Sequence, residues 1–248
     1  MNNQIETLLS HRSIRKFTKK KLSNEQIQTI LQAASMASTS SYMMAYTIIG
    51  VTDEIKKEKL ASISGQPYVK ENGHLLIFCA DLNRNTLFAD QTDLEKMKVN
   101  LENTEHFLVA TIDASLAAQN AAIAAEALGL GICYLGSIRN NIEEVDRLLN
   151  LPNYVIPLFG MAIGEPDYSP EKKPRLPIDA FYSENSYMDE KVTEKSLNDF
   201  DQTIASYYQS RSSNNRNDFW TDQMKRKLIK PNREDVGPYT KTKKLNKS

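Results

Sequence analysis

Gly129-Leu130-Gly131-Ile132-Cys133-Tyr134-Leu135-Gly136-Ser137 follows directly on an alanine-rich run over 104–128, and the reading of this junction decides the fold. Its glycines superficially match a dinucleotide fingerprint. The spacing is wrong, and so is the order: a Rossmann loop follows a strand and opens a helix, whereas here a helix ends and a strand begins. Gly129 or Gly131 therefore reads as a helix C-cap, with a strand over 132–135. Gly136-Ser137 then lets backbone N–H groups approach a ligand. The preceding run, as a helix, spans on the order of 37 Å. Asp113, Gln119, Asn120 and Glu126 interrupt it. Each is costly in lipid, so the run reads as a central helix of a soluble protein rather than a membrane span. Its many alanines would let another helix approach closely, which points to a subunit interface.

Outward from this helix, the chain alternates helical and strand patterns. A short amphipathic helix covers 3–10. The next opens at Ser23, a good N-cap with Gln26 placed to complete a capping box, and buries Ile27, Ile30, Leu31 and Ala34. Strands are expected at 46–51, 74–80 and 155–163, and helices at 53–63 and 141–149. Residues 81–103 read as a polar, exposed helical excursion. Beyond Asp179 the chain is strongly polar. Leu197, Phe200, Ile204 and Tyr207 form one apolar face, too little to fold alone.

The 248 residues are 40% hydrophobic and 25% charged, enough for a sizeable core. Lys plus Arg equals Asp plus Glu at 31 each, so no global field favours nucleic acid or an anionic membrane. From 211 to 248, however, 11 Lys/Arg stand against 4 Asp/Glu, a basic end on an acidic remainder. Cys79 and Cys133 both lie in apolar runs and read as buried, reduced, cytoplasmic thiols. The N-terminus carries no secretory pattern.

The candidate chemistry is anion binding. In His11-Arg12-Ser13-Ile14-Arg15-Lys16-Phe17-Thr18 an extended backbone points His11, Ser13 and Arg15 to one side, a set suited to a phosphate. The same residues also fit a solvated basic connector. Ser38-Thr39-Ser40-Ser41-Tyr42 is a hydroxyl-rich loop, able to line a polar cofactor edge or simply to end a helix. Gln66 and Tyr68, two apart after Gly65, can meet the amide edge of a heterocycle. Lys172-Lys173-Pro174-Arg175-Leu176-Pro177 holds Lys173 and Arg175 on one side of a stiff segment, a second phosphate grip or an exposed linker. With only three histidines, no metal centre is expected, and no nucleophile signature or catalytic side chain stands out. That combination suits an enzyme whose cofactor does the chemistry.

Together these stretches, with Arg139-Asn140-Asn141 and the loop from Arg211 to Arg216, resemble the nitroreductase/flavin reductase family, and its NADPH-preferring, oxygen-insensitive group most. The resemblance implies an α+β homodimer with a central mixed or antiparallel sheet flanked by helices and a long buried Ala-rich helix. It implies an FMN-binding core over 1–180 and a C-terminal excursion over 181–248 that wraps the partner subunit and carries the NADPH-binding loop. FMN, tight but non-covalent, would be held by His11, Arg12, Ser13, Arg15, Thr39, Ser40, Gln66, Leu135, Gly136, Ser137, Lys173 and Arg175. Tyr68 joins that set from its position beside Gln66. Arg211 and Arg216 would take the 2′-phosphate of NADPH, and Ser41, Tyr42 and Arg233 would line the substrate face. The implied activity is ping-pong two-electron hydride transfer at flavin N5, from NADPH to flat acceptors such as nitroaromatics, quinones and flavins. A non-catalytic FMN-binding or flavin-carrier protein is the alternative; it would have no use for a 2′-phosphate clamp. Neither nucleic acid nor a membrane is an expected partner.

Overall fold

The computed structural model describes residues 3–211 and 215–248. It divides into two compact units, one of residues up to Pro170 joined by Arg233–Ser248, the other Glu171–Asn232. The first is α+β. Its helices are α1 Asn3–Leu9, α2 Asn24–Ser35, α3 Glu54–Ser64, α4 Gln91–Leu101, α5 Thr104–Ala127 and α6 Ile142–Leu149. Its strands are β1 Tyr46–Val51, β2 His74–Asp81, β3 Gly131–Leu135 and β4 Val155–Gly164. They form one antiparallel sheet in the order β1-β2-β4-β3. The residues of β2 are buried throughout, as befits a central strand covered on both faces.

The element starts follow local chemistry. Ser23 accepts from the Gln26 N–H while the Gln26 side chain accepts from the Ser23 N–H, so the expected capping box forms. Asp53, Asp90, Asn103 and Asn141 cap α3, α4, α5 and α6, each side chain accepting from the backbone N–H three residues on. At the decisive junction Gly129 adopts φ +76°, the left-handed conformation that follows a helix C-terminus. Gly131 has another role: a Cβ there would meet Ile14 Cγ1 at 2.4 Å, so its hydrogen admits the N-terminal segment against β3.

Helix α5 is apolar all round but not enclosed all round. Ala117, Ala118, Ala121, Ala122 and Ala125 pack with Ile30 and Ala34 of α2 and with Leu76, Phe78, Met161 and Ile163 of the sheet. These five alanines thus face the protein's own core and admit α2. Leu108, Ile112 and Leu116, four residues apart, form an exposed aliphatic stripe on another face. By length and hydropathy α5 could cross a membrane. Its alanine face is instead that of a core helix.

The segment 11–18 is extended, with bridges Ser13↔Ile132 and Phe17↔Pro166. Its inward residues are Ile14 and Phe17, three apart, so strict alternation does not hold through it. The last residues are no loose tail. In α9, Val236–Thr242, and beyond it, Val236, Tyr239 and the fully buried Leu245 join the cluster of Ala45, Ala80, Leu82, Leu101 and Ile142.

The second unit holds α7 Glu190–Ser210 and α8 Trp220–Ile229. Its cluster is Phe200, Ile204 and Tyr208 with Leu176, Tyr207 and Trp220. Phe200 and Ile204 face inward as expected and Tyr207 packs half-buried against them; Tyr208 adds a more deeply buried ring to the expected face.

Candidate functional site

Three neighbourhoods of the first unit hold the expected site residues. The first is built on Asp113, midway along α5 and almost wholly buried. Its carboxylate accepts from Thr39 Oγ1 at 2.5 Å, from the Ser40 N–H at 3.0 Å and from the Ala45 N–H at 3.0 Å. Arg84 donates to the carbonyls of Met44 and Tyr46, and Asn85 to that of Met43. These anchors hold Ser41, Tyr42 and Met44 at φ 50°, 59° and 46°, which costs each non-glycine residue about 1 kcal/mol or more. The outcome is a Tyr42 side chain 81% exposed on a pinned loop. Thr39 spends its hydroxyl proton on Asp113, while Ser40 spends only its backbone N–H.

Asp113→Ala is expected to cost about 1–3 kcal/mol for the stranded Ala45 N–H alone. Urea denaturation measures it; an unchanged midpoint would show that the carboxylate is not what holds this loop.

The second neighbourhood lies at the C-terminal end of α5. His11 Nδ1 meets Glu126 Oε1 at 2.6 Å. Arg12 donates to Ser169 Oγ at 2.8 Å and to the Pro170 carbonyl. Arg12, Glu126 and Tyr168 line a cavity of about 480 Å³. Asp113 and Glu126 are 13 residues apart on one helix, about 20 Å along its axis. Thr39 and His11, bonded to those two carboxylates, are therefore not neighbours within one chain.

The third joins the end of α3 to the end of β3. Ser64 Oγ and Ser137 Oγ are 2.7 Å apart, which sets Gly65 and Gln66 beside Leu135-Gly136-Ser137. Burial, first, and then the neighbouring Cys133 thiol push the Tyr68 hydroxyl up to about 12, while Arg15 pulls it down. Burial also raises Cys133, again against Arg15. Arg15, Tyr68 and Cys133 are thus one cluster. Arg233, at φ 57°, donates from Nε and Nη2 to Asn140 Oδ1, both at 3.0 Å. A Cβ on Gly136 would lie 3.8 Å from Arg233 Nη1, so this guanidinium stands beside the glycine backbone. Burial, then Arg233, lowers the Arg139 pKa; Arg139 donates to the Leu158 carbonyl.

Within the second unit, Lys173 and Arg175 both line a cavity of about 430 Å³ floored by Phe200, Ile204 and Trp220. Arg175 Nη1 donates to the Lys173 carbonyl at 2.8 Å. Arg211 lies over the Tyr207 ring and Arg216 over that of Tyr208. Ser212, Ser213 and Asn214 of this loop lie outside the described residues. Among the described residues, Arg12, Arg15, Lys173, Arg175, Arg211 and Arg233 form no ion pair with a carboxylate. Lys16, Lys20 and Lys21, from the same N-terminal segment, each do. Within the first unit, Arg15 by the Tyr68 hydroxyl and Arg233 by the Gly136 backbone, neither with a carboxylate partner among the described residues, are donors that fit a phosphorylated, polar-edged cofactor.

Several contributors were not anticipated. Asp113 and Glu126 served only as arguments against a membrane span, although a lone carboxylate in an alanine helix needs a buried partner. The Tyr207-Tyr208 pair, four residues before Arg211, was the available signal for seating that loop.

An antiparallel α+β unit presenting anion-binding loops around a long alanine helix is the architecture of one flavoprotein class. Residues 8–165 match the Nitroreductase family and residues 173–248 the C-terminal domain of that family. The chain belongs to the nitroreductase family. It is 48% identical over 250 residues to the "FMN reductase (NADPH)" of Bacillus subtilis strain 168, covering all of both chains. The solved NfrA1 nitroreductase from B. subtilis is 47% identical with TM-score 0.93, over 99% of this chain and 100% of that one. The NADPH:FMN oxidoreductase from Vibrio harveyi, complexed with NAD+, is 39% identical with TM-score 0.90 over the whole of both chains.

Proposed function

We propose that this protein is an FMN-dependent NADPH oxidoreductase of the nitroreductase and flavin reductase type. The observation that carries the reading is the set of cations without carboxylate partners in a nitroreductase-family chain that matches an NADPH-dependent FMN reductase from end to end. The chemistry FMN supplies when bound is two-electron transfer between NADPH and an acceptor, in ping-pong order. The chain's own residues bind and orient. From the first unit we assign His11, Arg12, Ser13, Arg15, Thr39, Ser40, Gln66, Tyr68, Leu135, Gly136 and Ser137 to FMN. Arg15 and Ser137 supply donors, Gly136 supplies its backbone N–H, and Thr39 acts through the Asp113-bound loop. From the second we assign Lys173 and Arg175 as cations for its phosphate, and Arg211 and Arg216 for the 2′-phosphate of NADPH. Ser41, Tyr42 and Arg233 face flat acceptors such as nitroaromatics, quinones and free flavins.

The active form in this reading is a homodimer. Site residues divide between two points about 20 Å apart on α5, so a second copy is needed to complete each site. The exposed Leu108, Ile112 and Leu116 stripe offers an apolar seam for it. The two buried thiols, Cys79 and Cys133, are unpaired, which suits the reducing cytoplasm.

Anaerobic addition of NADPH should bleach the flavin absorbance of the purified protein, and a quinone should restore it; no bleaching would leave only a flavin carrier. Arg216→Ala should raise the KM for NADPH roughly 10- to 100-fold, the worth of charge-assisted bonds to a phosphate, and leave NADH nearly unaffected. Equal losses with both dinucleotides would remove Arg216 from the 2′-phosphate.

A further inference from the structure

Arg216 is held at three points. Its backbone N–H reaches the Tyr208 carbonyl at 3.4 Å, its Nε donates to Asp218 Oδ2 at 3.1 Å, and its Cζ lies 3.8 Å from the centre of the Tyr208 ring. Asp218 also accepts from Arg226 Nη2 at 2.7 Å. One residue earlier, Asn215 donates to the Gln209 carbonyl, so this stretch is pinned to the last turn of α7, whose carbonyls lack helical partners. Arg211 Cζ stands 5.6 Å from the Tyr207 ring centre. The two rings are 5.3 Å apart, and Tyr208 is almost wholly buried with its hydroxyl on Gln223.

A guanidinium seated by its face on an aromatic ring keeps its edge N–H groups for a ligand. On Arg216 the Nε is occupied, and among the described residues both Nη groups are left to form a two-pronged fork. We propose that Tyr207 and Tyr208 are positioning residues for a dinucleotide 2′-phosphate: each ring seats one arginine by a cation–π contact, Tyr207 under Arg211 and Tyr208 under Arg216. This rests on the assignment of those arginines to NADPH. It adds that selectivity is built into the end of α7 and not into the arginines alone. Other charges face the same place: Lys173, 5.6 Å from the Tyr208 ring, and the Asp218 carboxylate, which Arg226 also holds.

The test uses FMN-loaded enzyme, with occupancy confirmed by absorbance, and one quinone at a fixed saturating level. Values of kcat and KM are measured for NADPH and NADH in wild type, Arg216→Ala, Tyr208→Leu, Tyr208→Phe and Tyr207→Leu. Tyr208→Leu and Tyr207→Leu should each raise the KM for NADPH roughly three- to thirty-fold, the worth of one cation–π contact, with kcat and both NADH constants unchanged. Tyr208→Phe, which keeps the ring and loses the hydroxyl, should match wild type. If Arg216→Ala abolishes the NADPH preference while both leucine variants retain it, the tyrosines have no such role and the arginine assignment stands. If Arg216→Ala itself retains the preference, the assignment fails and this inference falls with it. Should Tyr208→Leu not fold, Tyr207→Leu, whose ring is only half-buried, decides by the same criterion.

Discussion

Replacing Lys173 and Arg175 together by alanine is expected to strip FMN from the protein, weakening binding roughly 10²- to 10⁴-fold. Each charge-assisted bond to a phosphate is worth about 1.5–3 kcal/mol, and every 1.4 kcal/mol is a factor of ten. Both side chains are exposed, and neither has a carboxylate partner among the described residues, so little folding stability should be lost with them. An ordinary solvated lysine or arginine would behave otherwise: its removal changes stability slightly and ligand binding not at all. Titration of the flavin-free protein with FMN, followed by quenching of flavin fluorescence, gives the dissociation constant. Lys173→Arg should keep most of the affinity, because a cation is kept. A double variant purified as yellow as wild type would end the phosphate role of this segment.

The second large effect concerns the C-terminal return. Lys243 Nζ meets Asp146 Oδ2 at 2.7 Å and the Leu151 carbonyl at 2.8 Å, with both side chains nearly excluded from solvent. Removing one partner of such a pair strands the other charge, which costs about 3–5 kcal/mol. Lys243→Ala should therefore lower stability by that amount, and the melting temperature by roughly 6–20 °C for a chain of this size. The double change Asp146→Leu with Lys243→Met should recover most of the loss, since apolar replacement of a whole buried pair is often neutral. Equal urea midpoints for Lys243→Ala and wild type would show that the pair does not hold this segment. Leu245 and the bonds from the Thr104 N–H and hydroxyl to the Ser248 carbonyl give the same segment further anchors.

Local chemistry was read well wherever its cause was local. The four strands fall within a residue of their expected limits, because each is a short apolar run bounded by turn residues. Ser23 and Gln26 act three residues apart and were legible as a pair. The arrangement of the site was harder to see. Asp113 reaches Thr39 across 74 positions, and Lys243 reaches Leu151 across 92. No spacing rule links residues so distant. The inward face of α7 was read without its more buried ring, Tyr208, because a polar helix with few apolar positions leaves its orientation weakly specified.

By itself, the order of residues determined the four strands and the helices flanking them, though not α8 or α9, that the glycine junction is no Rossmann loop, and which cations, hydroxyls and glycines can hold an anion. Those properties depend on neighbours within about one helical turn. The tertiary structure alone decided which carboxylates lock the hydroxyl loop, that the last part of the basic end, through Val236, Tyr239 and Leu245, joins the core, and that two tyrosines seat two arginines. Burial supplies the reason. A charge or ring withdrawn from water must find its partner in space, and the fold, not the distance along the chain, sets which groups are there to meet it.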